Sequence, residues 1–439
     1  VIWLEITIVL GAILIGTRLK GISLGIMGGF GLAILAFFFH LKPTDPPSDV
    51  LFIITAVVTA AGALEAAGGL GYLAGLAEKT IKKYPHRITF IAPLITYILT
   101  FLAGTGHIVY SILPIIATVA RDTGVRPERP LTASVIAAQQ AAIASPISAP
   151  TAILIGILAP YGIELLDVLC ILVPATLGGI LMTTLVVNRM GKELSEEPAY
   201  KKMLEVNEQK DLIKELDTYS KVSNSAKLSV TLFIVGIILI ILLGAFKNLR
   251  PIWQINGKLV FLDMPTTIEV LMFSIAALTM LTCKLNPTEI SKSTVFTSGI
   301  QAVISILGIS WLGDTFVNAN QAQIMELVQT QIVKHPWQFS FILFFMSILL
   351  VSQTATIRSL MPLGLALGIP AITLLAASPA VNGLFFFPNY PTILAAINLD
   401  RTGTTRVGKF VLNHSFMIPG LIATSTAVII AFGLVKYLF

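Results

Sequence analysis

Leu228 to Phe246 contains no charged residue and only two hydroxyl side chains, and a helix needs about 20 such residues to cross a hydrocarbon core. Comparable apolar blocks recur, as in Val50 to Ala63 and Phe410 to Val435. Lipid offers no hydrogen bonds, so every backbone N–H and C=O in these blocks must be paired within its own segment, which makes the spans helical. The chain as a whole is 55% hydrophobic and 12% charged, more apolar than a water-soluble core of this length requires. Ile2 to Gly16 has no basic region before it and no small-residue cleavage site after it, so it reads as the first span rather than a removable signal.

A formal net charge of +6 raises the question of nucleic acid, but no basic stripe interleaved with aromatics is present. A basic excess in a membrane protein collects in cytoplasmic loops. Cys170 and Cys283 lie in apolar stretches without CxxC spacing or His partners, so neither a disulfide, a metal nor another cofactor is expected. Suppose the loops at Arg18 and Lys20, Lys79 to Arg87, Arg121 to Arg129, Arg189 to Lys227, Lys284 to Lys292 and Arg401 to Lys409 share one side. Then 22 of 29 basic residues lie there, six lie opposite, and Arg358 is left at membrane depth. The positive-inside rule makes the first side cytoplasmic and puts both termini outside, in the periplasm of a Gram-negative cell.

Two pairs of blocks break the spanning rule. Ile88 to Ala103 and Ile108 to Ala120 are short and divided by Gly104-Thr105-Gly106-His107, with basic flanks on both sides. Phe339 to Val351 and Ile357 to Leu367 are divided by Ser352-Gln353-Thr354-Ala355-Thr356. Each pair is expected to form a re-entrant helical hairpin, at about 88–120 and 338–370. Its tip must be buried in protein or line a wet cavity. The next element in each half is interrupted by proline, which removes a backbone donor. These are Ser145-Pro146-Ile147-Ser148-Ala149-Pro150-Thr151, within about 131–158, and Ser378-Pro379 through Pro388-Asn389-Tyr390-Pro391-Thr392, within about 371–398. A weak local match also links the hairpins, Tyr110-Ser111-Ile112-Leu113-Pro114 against Arg358-Ser359-Leu360-Met361-Pro362.

The resulting expectation is an all-α polytopic membrane protein of two inverted repeats, each with five spanning helices (one broken) and one re-entrant helical hairpin. Residues 1–188 form the first repeat, 189–227 a cytoplasmic linker and 228–439 the second. Broken elements at matching positions of oppositely oriented halves point to a midplane substrate site in a secondary transporter. Discontinuous helices present unpaired N-terminal amides and positive dipole ends, which suit an anion, and two such breaks could clamp both ends of a dicarboxylate. The candidate lining is Gly104, Thr105, Gly106, His107, Ser145, Pro146, Ser148, Thr151, Ser352, Gln353, Thr354, Thr356, Ser378, Asn382, Asn389 and Thr392. Helix capping and helix-to-helix hydrogen bonding is the plain alternative for any of them.

Arg358 is an intramembrane ion, a functional candidate by default, with a guanidinium that fits a carboxylate bidentately. Its plain alternatives are snorkelling and pairing with a structural acid. Glu65 reads equally as a structural hydrogen-bond acceptor or a proton relay, and His107 as a group that titrates near neutral pH. Asp400 and Arg401 are expected to form an ion pair bracing a helix end, or a cytoplasmic gate.

Gly104-Thr105-Gly106-His107, Ala144-Ser145-Pro146, Trp311-Leu312-Gly313-Asp314-Thr315, Tyr390-Pro391-Thr392 and Asp400-Arg401-Thr402-Gly403-Thr404-Thr405 resemble the Dcu family of anaerobic four-carbon dicarboxylate transporters over nearly the whole chain. The linker is the least family-like part. The resemblance implies exchange of fumarate, malate or aspartate for succinate across the bacterial inner membrane, or uptake coupled to protons or sodium. It also implies kinship to paired-hairpin ion transporters that work by an elevator movement, often as homo-oligomers, and, for some members, a sensor-kinase partner. The resemblance further implies that His107 and Arg358 stand at positions that vary within the family, which weakens a universal role for either. Expected partners are the dicarboxylate and membrane lipid, with no nucleic acid. The alternatives are a carrier of another anion coupled to sodium or protons and, from other classes, an intramembrane enzyme or a channel. An enzyme is disfavoured because neither an HExxH motif nor paired intramembrane aspartates are present to activate water.

Overall fold

Helices form where the apolar blocks lie, and they stop at the glycines, prolines and polar clusters that punctuate them. A computed structural model describes residues 2–19, 22–46, 48–197, 200, 223–255, 257–323, 335–388, 390–408, 410 and 412–439. The first half holds α1 (Ile2–Leu19), α2 (Ser23–Phe37), α3 (Ser48–Ala66), α4 (Gly69–Lys83), α5 (Ile88–Ala103), α6 (Leu113–Asp122), α7 (Glu128–Ala144), α8 (Ala149–Leu158) and α9 (Leu165–Val187). The second holds α10 (Asn224–Ala245), α11 (Met264–Thr282), α12 (Pro287–Lys292), α13 (Thr294–Ala319), α14 (Phe339–Leu350), α15 (Gln353–Ala366), α16 (Ala371–Ala377), α17 (Pro391–Leu399) and α18 (Met417–Leu438). A small antiparallel ribbon, β1 (Ile252–Ile255) with β2 (Lys258–Phe261), pairs Ile252 with Phe261 and Ile255 with Lys258 between α10 and α11. Most of the linker, residues 198–199 and 201–222, lies outside the described residues.

Polar side chains set the helix starts by accepting otherwise unpaired amides. Ser223, Asp263 and Ser293 accept from Ala226 N, Thr266 N and Phe296 N at the heads of α10, α11 and α13. Glu164 and Asp167 form a reciprocal capping box at α9, the arrangement that satisfies two donors at once.

Among the described residues, seven helical stretches are long and apolar enough to cross a membrane, or eight if the bent pair α3–α4 counts as one. The sequence reads ten spans; of these, the Ile2–Ile13 stretch of α1, α2 and the α16 region are shorter apolar helices, α3–α4 bends by 71°, and Pro85–Ala103, expected as a short hairpin arm, is itself of spanning length. The bend falls at Gly68, whose φ of 82° is the left-handed conformation glycine adopts without strain. Beyond it α4 is amphipathic, burying Gly69, Leu70, Ala74, Ala77 and Ile81 along one stripe, with Glu78 and Lys82 paired at 2.5 Å on another face. A helix so divided suits an interface better than a lipid-surrounded continuation of α3.

Packing follows two groups that each draw on both halves of the sequence. In one, α2 lies along α13, α3 along α11 and α13, and α1 along α2. In the other, α5 and α9 pack on α7, and α18 lies along α9. The α2–α13 crossing is closer than side chains permit. A Cβ on Gly308 would sit 1.8 Å from the Gly25 carbonyl oxygen, a backbone approach of the kind small residues allow between membrane helices.

Candidate functional site

In the segment expected as hairpin 1, the chain turns at Gly104, with φ 66° and ψ 8°. A Cβ there would meet Ile147 Cγ1 at 2.7 Å, so both backbone conformation and space require glycine. Half-buried Thr105 and Gly106 follow, and a 3-10 turn over Gly106–Ser111 leads into α6. His107 lies in that turn, while its side chain is outside the described residues.

Ile147 belongs to the first break, where α7 ends and α8 begins. Pro146 and Pro150 withhold two N–H groups, and hydroxyls take up carbonyls near the interruption. Thr151 Oγ1 donates to Ile143 O at 2.7 Å, Ser148 Oγ to Ser145 O at 3.1 Å, and Ser145 Oγ to Phe101 O at 2.6 Å on hairpin 1. Ser145, Ser148 and Thr151 are fully buried. Leaving such carbonyls unpaired would cost about 1–3 kcal/mol each, so these bonds explain how a break survives there.

In the segment expected as hairpin 2, the chain turns at Val351, with φ 49° and ψ 31°. Ser352 Oγ accepts from Ala355 N at 3.2 Å and so caps α15, while Thr356 Oγ1 donates to Ser352 O at 2.7 Å. Gln353 Nε2 donates to Gln139 O at 2.8 Å and to Asn382 Oδ1. Asn382 Nδ2 donates in turn to Pro379 O at 3.2 Å. Thus the tip of hairpin 2, α7 and the second break converge, with Thr354 buried beside them. Ser378 Oγ donates to Leu375 O at 2.8 Å within its own helix end.

Several buried side chains have polar atoms without hydrogen-bond partners, Thr100, Gln140 and Arg250 among them, and two lie on the segments that meet here. Gln139, 5% exposed, has neither Oε1 nor Nε2 satisfied; Thr392, in the first turn of α17, has a free Oγ1. Asn389 lies outside the described residues. Segment α17 packs on α6, α7 and the 106–111 turn, while α8 packs on α15. Each hairpin therefore meets the segment leaving the other half's break. Sequence reasoning missed Gln139, although Gln139-Gln140 within Ala137-Ala138 and Ala141-Ala142 is a polar pair in an apolar helix about one turn before the break.

Arg358 Nε lies 3.1 Å from Asp314 Oδ2, and Ser359 Oγ donates to Asp314 Oδ1 at 2.7 Å. The arginine thus has an acid partner on α13, in the other packing group. The same stretch of α13 holds the segment before α3: Trp311 Nε1 donates to Thr44 O at 2.6 Å, and Thr44 N to Thr315 Oγ1 at 3.2 Å. Glu65 receives Thr294 Oγ1 at 2.5 Å and Val295 N at 2.8 Å, an anion at the positive end of α13.

Asp400 is enclosed by its own loop, accepting from Thr402 N at 2.9 Å, Thr402 Oγ1 at 2.5 Å, Thr404 Oγ1 at 2.6 Å and Thr405 N at 2.6 Å. Arg401 is exposed, and no ion pair joins it to Asp400 among the described residues. The ionic network at this end runs instead from Arg126 to Glu128 at 2.6 Å and Glu197 at 2.7 Å, and from Arg129 to Glu193 at 3.0 Å. Burial alone would lower the Arg126 pKa, but hydrogen bonds and charge from Glu128 and Glu197 outweigh it, and the net direction is up. His414, in the loop before α18, is pushed below its ordinary value by burial, against the Phe386 carbonyl that raises it. Its Nε2 lies 3.1 Å from Phe386 O, and its Nδ1 accepts from Phe416 N at 3.2 Å, which fixes a neutral ring. Among the described residues no cluster of three His, Cys, Asp or Glu could hold a metal.

Comparison with known proteins bears on what this arrangement serves. A family profile described as "Anaerobic c4-dicarboxylate membrane transporter" matches residues 1–439. The chain is 40% identical over 429 residues to the C4-dicarboxylate transporter DcuA of Wolinella succinogenes, covering 98% of each. It is 41% identical over 437 residues to DcuA of Escherichia coli, covering 99% of each. To the anaerobic C4-dicarboxylate transporter DcuB of Escherichia coli it is 39% identical over 433 residues, covering 97% of this chain and 96% of that one.

Proposed function

The chain belongs to the family of anaerobic C4-dicarboxylate membrane transporters that includes DcuA and DcuB, and on that premise we propose how its own residues hold and move the substrate. It carries C4 dicarboxylates across a membrane and is a transporter rather than an enzyme. One carboxylate of succinate, fumarate, malate or aspartate is held where Gln139, Ser352, Gln353 and Asn382 meet. The other is held between the Gly104–Gly106 tip and Thr392, near the heads of α15 and α17, whose dipole ends favour negative charge. The observation that carries this reading is the Gln139 amide, buried with both polar atoms unpartnered. An unsatisfied buried polar group costs about 1–3 kcal/mol, and a carboxylate would accept from its NH2 group.

Transport proceeds by exchange across the bacterial inner membrane, in an elevator-type movement of the α5–α9 and α14–α18 group against α1–α3, α10, α11 and α13. Two features support that division: the packing groups themselves and a cavity of about 1020 Å3 opening between them. The Arg358–Asp314 pair spans the same boundary. The Lys and Arg distribution supports the two inverted halves with both termini outside. Counterflow in proteoliposomes tests the reading: unlabelled succinate inside should accelerate entry of labelled succinate. Fumarate, malate and aspartate should compete, whereas citrate, sulfate and monocarboxylates should not. No acceleration, or equal competition by sulfate, would overturn it.

A further inference from the structure

The cavity between the two helical groups contains positive charge with no function in the clamp described above. It lies along α8 from Ile153 and along α15 from Arg358, about 8 Å by helix rise beyond Ser148 and Gln353. Among the described residues, three basic ones, Lys247, Arg250 and Arg358, and three acidic ones, Glu164, Asp263 and Asp314, line it, so these six balance. Their engagement differs. Asp314 is taken by Arg358 and Ser359; Asp263 accepts from Thr266 N and Oγ1, both at 2.9 Å; and Glu164 sits in the α9 capping box. Asp263 and Glu164 also face helix N-termini, whose partial positive charge offsets theirs.

Arg250 and Lys247 have no carboxylate within 4.0 Å among the described residues. Arg250 is 8% exposed; its Nη1 donates to Leu262 O at 3.2 Å, and its Nε has no partner. A guanidinium buried so deeply ordinarily has an anion beside it. Lys247 is exposed, with Nζ 5.0 Å from the Phe261 ring centroid at the strand ribbon.

We infer that Arg250, assisted by Lys247, forms an outer capture subsite for the carboxylate of an arriving C4 dicarboxylate, distinct from the clamp at the helix breaks. The inference rests on the C4-dicarboxylate reading. Arg250 supplies a planar fork for a carboxylate, and Lys247 adds attraction at the mouth. The substrate then passes Arg358, whose bond to Asp314 lies in the cavity wall.

The test is initial-rate succinate transport in cells lacking other dicarboxylate carriers, for the outer face, and in inside-out vesicles, for the inner face. Arg250→Gln should raise the outer-face KM about tenfold, in keeping with the effect of local charge on ligand capture. Arg250→Lys should fall between wild type and Gln, and Lys247→Gln should raise KM by a smaller factor. The inner-face KM should stay at wild type. Added salt should raise the outer-face KM of wild type more than that of Arg250→Gln. Lys247→Gln, on an exposed residue, keeps the test decisive if Arg250→Gln fails to fold. In proteoliposomes of zwitterionic lipid the same shift must persist; a shift seen only with anionic lipid assigns Arg250 to a headgroup and overturns the subsite. Unchanged outer-face KM in both Arg250→Lys and Lys247→Gln, with unchanged salt dependence, also overturns it. If wild type itself shows no succinate counterflow, the substrate reading fails and the subsite with it.

Discussion

The two hairpins reach the same place by different means. Hairpin 1 turns on Gly104, which presses on Ile147 of the first break, and Ser145 ties that break to Phe101. All of these contacts stay within one packing group. Hairpin 2 turns on Val351, a β-branched residue in a left-handed conformation that costs about 1–2 kcal/mol relative to ordinary backbone. Its return helix is held at the tip by Gln353 and then, through Arg358 and Ser359, by Asp314 on the opposite group. One hairpin is therefore fixed to its own body, while the other carries local strain and is tethered across the boundary on which transport is proposed to occur. Strained backbone persists where surrounding contacts over-determine it, and here Ser352, Gln353 and Arg358 supply those contacts.

The largest expected effect breaks the rigid side. Gly104→Val adds a left-handed β-branched residue and a clash with Ile147, and should destabilise the protein by more than about 2 kcal/mol, read as a lower melting temperature in detergent. A melting temperature equal to wild type would mean that hairpin 1 is no tighter than hairpin 2. Next, Arg358→Gln and Asp314→Asn should each slow exchange, and the double variant should be no worse than the worse single one. A double-mutant cycle should return about 0.5–3 kcal/mol of coupling; additive losses would separate the two residues.

A smaller effect of opposite sign is expected at the other tip. Val351→Gly removes the strain but adds freedom to the unfolded chain, which offsets about 0.4–1 kcal/mol. The net should be a gain of at most about 1 kcal/mol, and a clear loss would show that the Val351 side chain is needed for packing. The smallest concerns His414, beneath the second break. Its folded pKa is lowered from 6.5, so the unfolded chain takes up protons first as pH falls. The stability it contributes is present above pH 6.5 and declines as pH falls through the lowered value, because a protonated Nδ1 can no longer accept from Phe416 N. Thermal melts of wild type should fall more steeply below pH 6.5 than those of His414→Asn; equal slopes would contradict the assignment.

The helix breaks after Ala144 and Ala377 were legible because proline and hydroxyl residues interrupt apolar blocks there, where lipid cannot pair open backbone. Ser148 and Ser352 stand where their types predict, heading α8 and α15. The partner of Arg358 was harder to see. Asp314 lies 44 positions away on a helix whose hydropathy pattern is uninterrupted, and only the fold brings them together. Gln139 was hidden for a related reason, since one amide inside an alanine-rich helix leaves the helical signal intact. The α3–α4 bend was signalled by Ala67-Gly68-Gly69, but hydropathy reads across it, because α4 keeps one apolar face.

The most direct test of the account is succinate binding by calorimetry to purified wild type and Gln139→Leu, with ligand-free melting temperatures measured in parallel. Leucine removes the amide proposed to await a carboxylate and, with it, two unpaired buried atoms. The account predicts at least a tenfold loss of succinate affinity, about 1.4 kcal/mol, together with an unchanged or higher melting temperature. A Gln139→Leu protein that melts no lower than wild type and binds succinate equally well would contradict it.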